Sequence, residues 1–463
     1  MKLLVNLALV AALAGGTAVA QDVSAYSTTI LQSWKQDVPG LNQGTLTPAT
    51  EFLGIDVNRM GGGALSLHLY GWGMVDLADQ SSVYGTTNGD LTYGYLDYNF
   101  SQANAELKAG RFTVNAGVGN EIVDGAYART DLRYGFTVSA FFGTPVVYKN
   151  LAYQSQATVG AQQNLIYGGR LAWYGASVGT IGVDFMEDGT SPGSPSPAGA
   201  PPVDYTRRLV GADVKLDGLA AWLDLSGRTV FDTAPRVSPG PDASPSGIAE
   251  HDYTATFKLA AKLSIAGTFT ERNLFAYYAG STLPNLFDPN EQGMFKATGA
   301  KVTWLPAANL QVVGDVRRTD REAYGDATRA GGDVRYTFTE AHVMAGAGYH
   351  KVNAFTLQAQ PASLIPSYSL THSEMRAWAM VQRGPFSASL DGILFHYDDA
   401  DANPNLNGHS HETAVVGSVG YQVKDSLKVS GDLTVGDTPL FQREVMGLVR
   451  LEYRFGVAGK GDK

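Results

Sequence analysis

The stretch REVMGLVRLEYRF, Arg443–Phe455, decides the fold class of this chain. Every second residue from Val445 onward is apolar or glycine: Val445, Gly447, Val449, Leu451, Tyr453 and Phe455. The positions between them include three charged residues: Arg450, Glu452 and Arg454. Because successive side chains of a β-strand point to opposite faces, this alternation predicts a strand with one apolar and one polar face.

The same alternation recurs along the whole chain, for example in Tyr253–Leu263 and Leu427–Val435. The segments are about 10–13 residues long, beyond the usual length of soluble strands and sufficient to cross a bilayer with tilt. Short links such as Pro306–Ala308 alternate with long polar loops such as Thr190–Pro202 and Pro235–Gly247. The pattern predicts an all-β fold, a single transmembrane antiparallel β-barrel with short periplasmic turns and long extracellular loops. We predict about 22 strands, with 20 as the alternative.

Composition excludes several classes of function. The 463-residue chain contains no cysteine, which excludes disulfides, cysteine-ligated clusters and haem attached to this chain through thioethers. Its formal net charge is -10 and it has no basic block, which argues against nucleic-acid binding. It also has no H-E-x-x-H motif. We therefore predict that the protein is not an enzyme and has no catalytic residues and no cofactor.

Residues 1–20 have the pattern of a secretory signal peptide. Lys2 supplies a positive end, Leu3–Ala14 is an apolar run, and Ala18–Ala20 is a cleavage site with small residues. The prediction is export through the periplasm to the outer membrane of a Gram-negative bacterium, with residues 21–463 forming the barrel and 456–463 a short tail. Only Gln21–Ala49 precede the clear strands, too few for the plug domain of a TonB-dependent transporter.

Aromatic residues near strand ends are predicted to form girdles at the two membrane interfaces. These pairs are Tyr70/Trp72, Tyr98/Phe100, Tyr277/Tyr278, Phe395/Tyr397 and Tyr453/Phe455.

The inside of so wide a barrel is predicted to be hollow, because barrels of about 16–18 strands already enclose water. Candidate residues of the lumen and its constriction are Arg317, Arg318, Arg228, Arg207, Asp315, Asp97, Tyr95 and His68. Facing basic and acidic rows would create a transverse field that selects solutes by charge. The alternative is that these charges form ordinary ion pairs that stiffen the wall. His68 is either a proton-linked gate or an inert wet histidine, and Thr144–Asn164 is a candidate constriction loop.

The loop HYDDADANPNLNGHSHE, 396–412, concentrates carboxylates and histidines. Clustered carboxylates in a loop could bind Ca²⁺. The spacing does not match an EF-hand, since no glycine follows Asp401 at the required position. A solvated loop is the favoured interpretation, and we predict no metal site.

Three pieces in residues 50–148 resemble porin-like outer-membrane proteins of δ-proteobacterial metal reducers: Phe52–Leu77, Glu106–Val114 and Val123–Val146. Leu107–Arg111 also resembles a strand of general porins. General porins usually end on an aromatic residue, whereas here Gly456–Lys463 follow Phe455. The resemblance implies a porin-like channel for passive diffusion of ions and small polar solutes. It implies as an alternative a barrel sheath around a multihaem cytochrome, which would be a separate partner. The resemblance to general porins also implies a homo-oligomer, and the barrel pattern itself implies outer-membrane lipid as a partner.

Overall fold

The computed structural model describes residues 22–36, 44–60, 63–78, 87–115, 117–118, 120–146, 165–175, 178–190, 205–233, 247–273, 294–321, 325–354, 356–357, 368–369, 371–402, 406, 408–437 and 444–458. The predicted signal peptide and the last residues of the predicted tail lie outside this part of the chain. No helix within it is long and apolar enough to cross a membrane.

Twenty-two long strands form one continuous antiparallel sheet. They are β1 (Asp22–Gln36), β2 (Pro48–Met60), β3 (Leu65–Asp76), β4 (Thr87–Phe100), β5 (Ala105–Asn115), β6 (Asn120–Asp131), β7 (Phe136–Pro145), β8 (Leu165–Gly175), β9 (Gly179–Thr190), β10 (Tyr205–Ala220), β11 (Leu223–Asp232), β12 (Gly247–Ala260), β13 (Leu263–Asn273), β14 (Met294–Ala307), β15 (Leu310–Arg321), β16 (Gly325–Phe338), β17 (Val343–Ala354), β18 (His372–Arg383), β19 (Phe386–Tyr397), β20 (His411–Lys424), β21 (Leu427–Asp437) and β22 (Glu444–Ala458). The short strand Gly44–Leu46 extends the pairing of β1.

The sheet closes on itself through β1. Tyr26 on this strand lies opposite Gly54 on β2 and opposite Arg454 on β22. A closed sheet has no unpaired edge, so every strand finds its hydrogen-bonding partners within the barrel, as a bilayer requires. The prediction of an all-β barrel of about 22 strands is confirmed.

Contacts between strands that are not neighbours identify the concave face of the sheet. The hydroxyl oxygens of Tyr26 on β1 and Tyr93 on β4 lie 3.0 Å apart, although two strands separate them. Arg454 is paired with Tyr26 and therefore shares this inner face. Val449 lies on the other face and is 54 % exposed. The polar residues of the alternating pattern thus face the lumen, and the apolar residues face outward.

The two rims differ in the length of their connections. Short turns lie on one rim. They join each even-numbered strand to the next odd-numbered one, from β2 and β3 to β20 and β21, and Asp425–Ser426 is an example. The longest connections, such as those from β7 to β8 and from β13 to β14, lie on the opposite rim. This is the arrangement of outer-membrane barrels.

Two of the predicted girdle pairs point outward, as a girdle requires, and two others do not. Tyr98/Phe100 and Tyr453/Phe455 point outward and are exposed. Tyr70 instead stacks on Tyr26 inside the lumen, and Trp72 shares its face. The Tyr397 hydroxyl donates to Glu412 on the inner face, which Phe395 shares. Successive side chains of a strand alternate between its two faces, and both pairs occupy positions that alternate with the outward residues of their strands. They therefore point into the lumen. Tyr277/Tyr278 lie outside the described residues.

Strand β22 extends beyond Phe455, the residue at which the sequence pattern predicts its end. The strand continues to Ala458 because Gly456, Val457 and Ala458 pair with the beginning of β1. This extension completes the seam at which the barrel closes.

Candidate functional site in the lumen

The hairpin of β5 and β6 folds into the lumen at its loop end. Its tip, Gly117–Val118, reaches the wall formed by β9–β11. Arg228 on β11 donates a hydrogen bond of 3.1 Å from Nη1 to the carbonyl oxygen of Gly117. A Cβ at Gly211 on β10 would lie 2.3 Å from Cγ1 of Val118, so the absence of a side chain there allows the tip to approach. Gly117 itself has φ +68°, a conformation that favours glycine.

An apolar cluster lies beneath this tip, within the lumen. Its side chains are almost fully buried and come from the inner faces of eight consecutive strands and from the tip itself. They are Phe112, Val114, Val118, Val123, Phe141, Ile166, Met186, Leu209, Val230 and Ala249. We call the inner face of β5–β13, together with the hairpin tip, the capped sector.

The capped sector also contains paired charges. Arg170 donates to Asp184 at 3.1 Å and to Asp213 at 2.8 Å. Glu250, whose side chain is only 1 % exposed, accepts from Nη2 of Arg228 at 2.7 Å and from Nη2 of Arg272 at 2.9 Å. Basic and acidic side chains are therefore interspersed in this sector, rather than forming separate basic and acidic rows.

A group of aromatic side chains covers the inner face of β1–β4. The ring centroids of Tyr70 and Tyr93 are 5.4 Å apart, and those of His68 and Tyr95 are 5.0 Å apart. His68 Nδ1 lies 2.6 Å from Oδ1 of Asp56. These contacts place His68 in a packed and hydrogen-bonded position in the lumen wall.

The inner face of β14–β22 is more open to solvent, and we call it the exposed sector. Met380 on this face is 43 % exposed. Arg317 lies over the ring of Phe295, with its guanidinium carbon 5.8 Å from the ring centroid. Among the described residues, Arg317 makes no ion pair. Arg329 bridges two acids, donating to Asp315 and to Glu374, each at 3.0 Å.

The predicted lumen residues fall into separate groups rather than one constriction. Tyr95 and His68 are in contact, and Asp97 shares the face of Tyr95. Arg228 belongs to the capped sector, whereas Asp315 and Arg317 belong to the exposed sector.

Two of the predicted arginines, Arg318 and Arg207, contribute no described side chain to the lumen. Arg318 bonds to Asp326 on the outward face, the face of Val316, so alternation places it away from Arg317 and out of the lumen. Arg207 has its backbone opposite Asp188, but its side chain lies outside the described part. The predicted constriction loop Thr144–Asn164 is described only at its first residues, Thr144–Val146.

In the acidic loop 396–412, Tyr397 and Glu412 face the lumen, whereas His396, His411 and Asp398 do not. The rings of His396 and His411 are 4.5 Å apart and point outward, and Asp398 pairs with Lys351 at 2.7 Å. His350 and Asp333 also belong to the lumen wall but are not predicted as lumen residues, because neither stands in a local sequence motif. The only available signal is that each lies at a polar position of an alternating strand.

Comparison with solved structures relates this fold to known barrels. The chain is similar to the siderophore receptor PirA from Pseudomonas aeruginosa, with a TM-score of 0.56, 12 % identity, and coverage of 94 % of this chain and 80 % of that chain. A mutant of the ferric enterobactin receptor PfeA from the same organism matches with a TM-score of 0.55, 10 % identity, and the same coverage. The fold is that of an outer-membrane β-barrel. At these identities the likeness concerns the fold alone. No protein-family model matches the chain, and no curated protein is similar to it.

Proposed function

We propose that this barrel is an outer-membrane channel for passive diffusion of ions and small polar solutes. The observation that supports it is the closed 22-strand wall, whose inner face is charged and polar and whose outer face is apolar. A barrel of this strand number has an interior too wide for its own wall side chains to fill. The resemblance of residues 50–148 to porin-like proteins of metal reducers agrees with this proposal.

We assign part of the charge preference of the channel to Arg317. Most lumen charges of the described wall are neutralised by a neighbour, as in the pairs of Arg170 and Arg329. Arg317 contacts an aromatic ring instead, so its positive charge remains available to a passing solute. An uncompensated charge lining a narrow aqueous path attracts ions of opposite sign.

The test is single-channel recording in a planar bilayer with a salt gradient. A diffusion channel gives steady open-pore current, and the reversal potential reports its charge preference. Absence of any current from correctly folded barrel would contradict the proposal. That result would favour the alternative function, a barrel that surrounds a multihaem cytochrome and whose lumen is therefore occupied or sealed.

Two adjacent arginines provide a matched test of selectivity. Arg317→Ala removes a lumen charge, so we expect the reversal potential to shift toward cation preference. Arg318→Ala removes the same charge from the outward face of the same strand, so we expect the reversal potential to stay at its wild-type value. Equal shifts in both variants, or a shift only in Arg318→Ala, would contradict the assignment.

A further inference from the structure

Three metal-ligating side chains from neighbouring strands converge in the exposed sector. His350 on β17 has its Nε2 2.9 Å from Oδ2 of Asp315 on β15 and 3.8 Å from Oδ2 of Asp333 on β16. Within the described residues, this is the one group of three such side chains whose ligand atoms all lie within 4.8 Å of one another. We propose that His350, Asp315 and Asp333 form a lumen site for a first-row divalent cation, with Zn²⁺ as its probe.

Two glycines in the wall allow these side chains to meet. Gly331 lies between Asp315 and His350 in the strand register, and a Cβ there would lie 2.5 Å from Cδ2 of His350. Gly348 lies opposite Asp333, and a Cβ there would lie 2.1 Å from Oδ1 of that residue. Each side chain therefore leans over a glycine toward the others, a convergence that larger residues at these two positions would prevent.

The ligand types and spacings select the class of cation. One imidazole nitrogen and two carboxylate oxygens suit Zn²⁺ and its first-row neighbours, whereas Ca²⁺ prefers six to eight oxygens. Tetrahedral bonds of about 2.0–2.1 Å place ligand atoms about 3.3 Å apart. The separations of 2.9 and 3.8 Å from His350 Nε2 bracket this value, and the ligand oxygens of Asp315 and Asp333 lie within 4.8 Å of each other. His350 is buried, with a side-chain exposure of 6 %, which holds its ring in place.

Arg329 positions one of the ligands. Its Nη1 bonds to Oδ1 of Asp315, and this orients the carboxylate so that Oδ2 faces His350. Its Nε bonds to Glu374, so the charges of Arg329 and Glu374 cancel. The remaining carboxylates of Asp315 and Asp333 carry two negative charges, which a divalent cation neutralises. Two further cations lie near these acids: Lys301, opposite Asp315 on β14, and Arg376 on β18, which interacts with Asp333.

A second histidine in the lumen offers a matched control. His68 pairs with Asp56 at 2.6 Å, within an aromatic group, and it is not part of a three-residue ligand group. Removing its imidazole deletes one lumen histidine and leaves the proposed site complete. The outward pair His396 and His411 serves as a control for binding at the rim.

The experiment is titration calorimetry of the full barrel in detergent with ZnCl₂. We expect one saturable site in the wild type, and affinity reduced at least about tenfold in His350→Ala and in Asp333→Asn, since each loses a direct ligand. His68→Ala and His411→Ala should bind as the wild type does, and a large excess of Mg²⁺ or Ca²⁺ should not displace Zn²⁺. Asp333 is 54 % exposed, so its substitution should leave the barrel folded, which heat-modifiable gel mobility verifies.

Either of two results would overturn the site. One is the absence of saturable heat in the wild type. The other is wild-type affinity in folded His350→Ala or Asp333→Asn, with loss in a control variant instead. Because binding is measured without current, the outcome is independent of whether the barrel conducts.

Discussion

The capped and exposed sectors are built from the same alternating strands, but they differ in what covers their inner faces. In the capped sector, the inward hairpin tip contributes Val118 to an apolar cluster that is almost fully buried. In the exposed sector, lumen residues such as Met380 remain open to solvent. The two walls of one barrel therefore present different environments to their charges.

This difference follows from the width of the barrel. Side chains on one wall of a 22-strand barrel do not reach the opposite wall, so burial requires a segment of chain that folds back. The hairpin tip is such a segment among the described residues. Ion pairs under it are shielded from water, whereas ion pairs across from it are screened. The same kind of pair should therefore contribute different amounts to stability in the two sectors.

The largest expected effect comes from removing the buried acid of the capped sector. Glu250→Ala leaves Arg228 and Arg272 without a shared carboxylate. We expect a loss of roughly 2–3 kcal/mol in the free energy of unfolding, below the value for a fully buried pair because both arginines are partly exposed. The control is Glu452→Ala in the exposed sector, whose pairing with Lys428 spans 3.9 Å; it should cost less than about 1 kcal/mol. Urea unfolding in detergent measures both. Equal losses would show that the sectors are energetically alike.

A second test displaces the hairpin tip. Gly211→Val places a side chain where Val118 now lies, so we expect a stability loss of about 1–3 kcal/mol from overpacking. If the tip narrows the lumen, the same variant should also show increased single-channel conductance. Gly447→Val is the control, because a Cβ at that position meets no atom within 4 Å. A well-folded Gly211→Val barrel with wild-type conductance would show that the tip does not limit the current.

The smallest effect is expected from trimming the tip without displacing it. Val118→Ala removes buried methyl groups and should cost about 1–2 kcal/mol. Met380→Ala in the exposed sector removes a larger but solvent-accessible side chain and should cost less. Thermal unfolding of the two variants compares them directly. A larger loss in Met380→Ala would contradict the division into sectors.

Sequence alternation alone predicted the class of fold, a barrel of about 22 strands and most of the strand positions, because period two is a local property of the backbone. It also predicted that His68, Tyr95 and Asp97 share a face, since each lies in phase with the polar residues of its own strand. It failed for Arg318, where two adjacent arginines necessarily point to opposite faces. It also failed for Tyr70 and Phe395, whose aromatic character suggested an interface although their parity directs them inward.

Only the tertiary structure decided which residues meet across strands. Closure through β1, the inward tip at Gly117–Val118 and the convergence of His350 with Asp315 and Asp333 all join positions far apart in the chain. Each depends on register, which sets the residues that lie side by side, and on glycines such as Gly211 and Gly331, which leave room for side chains from other strands. The alternating pattern specifies the two faces of each strand, whereas the pairing of strands specifies the neighbours that give a face its chemistry.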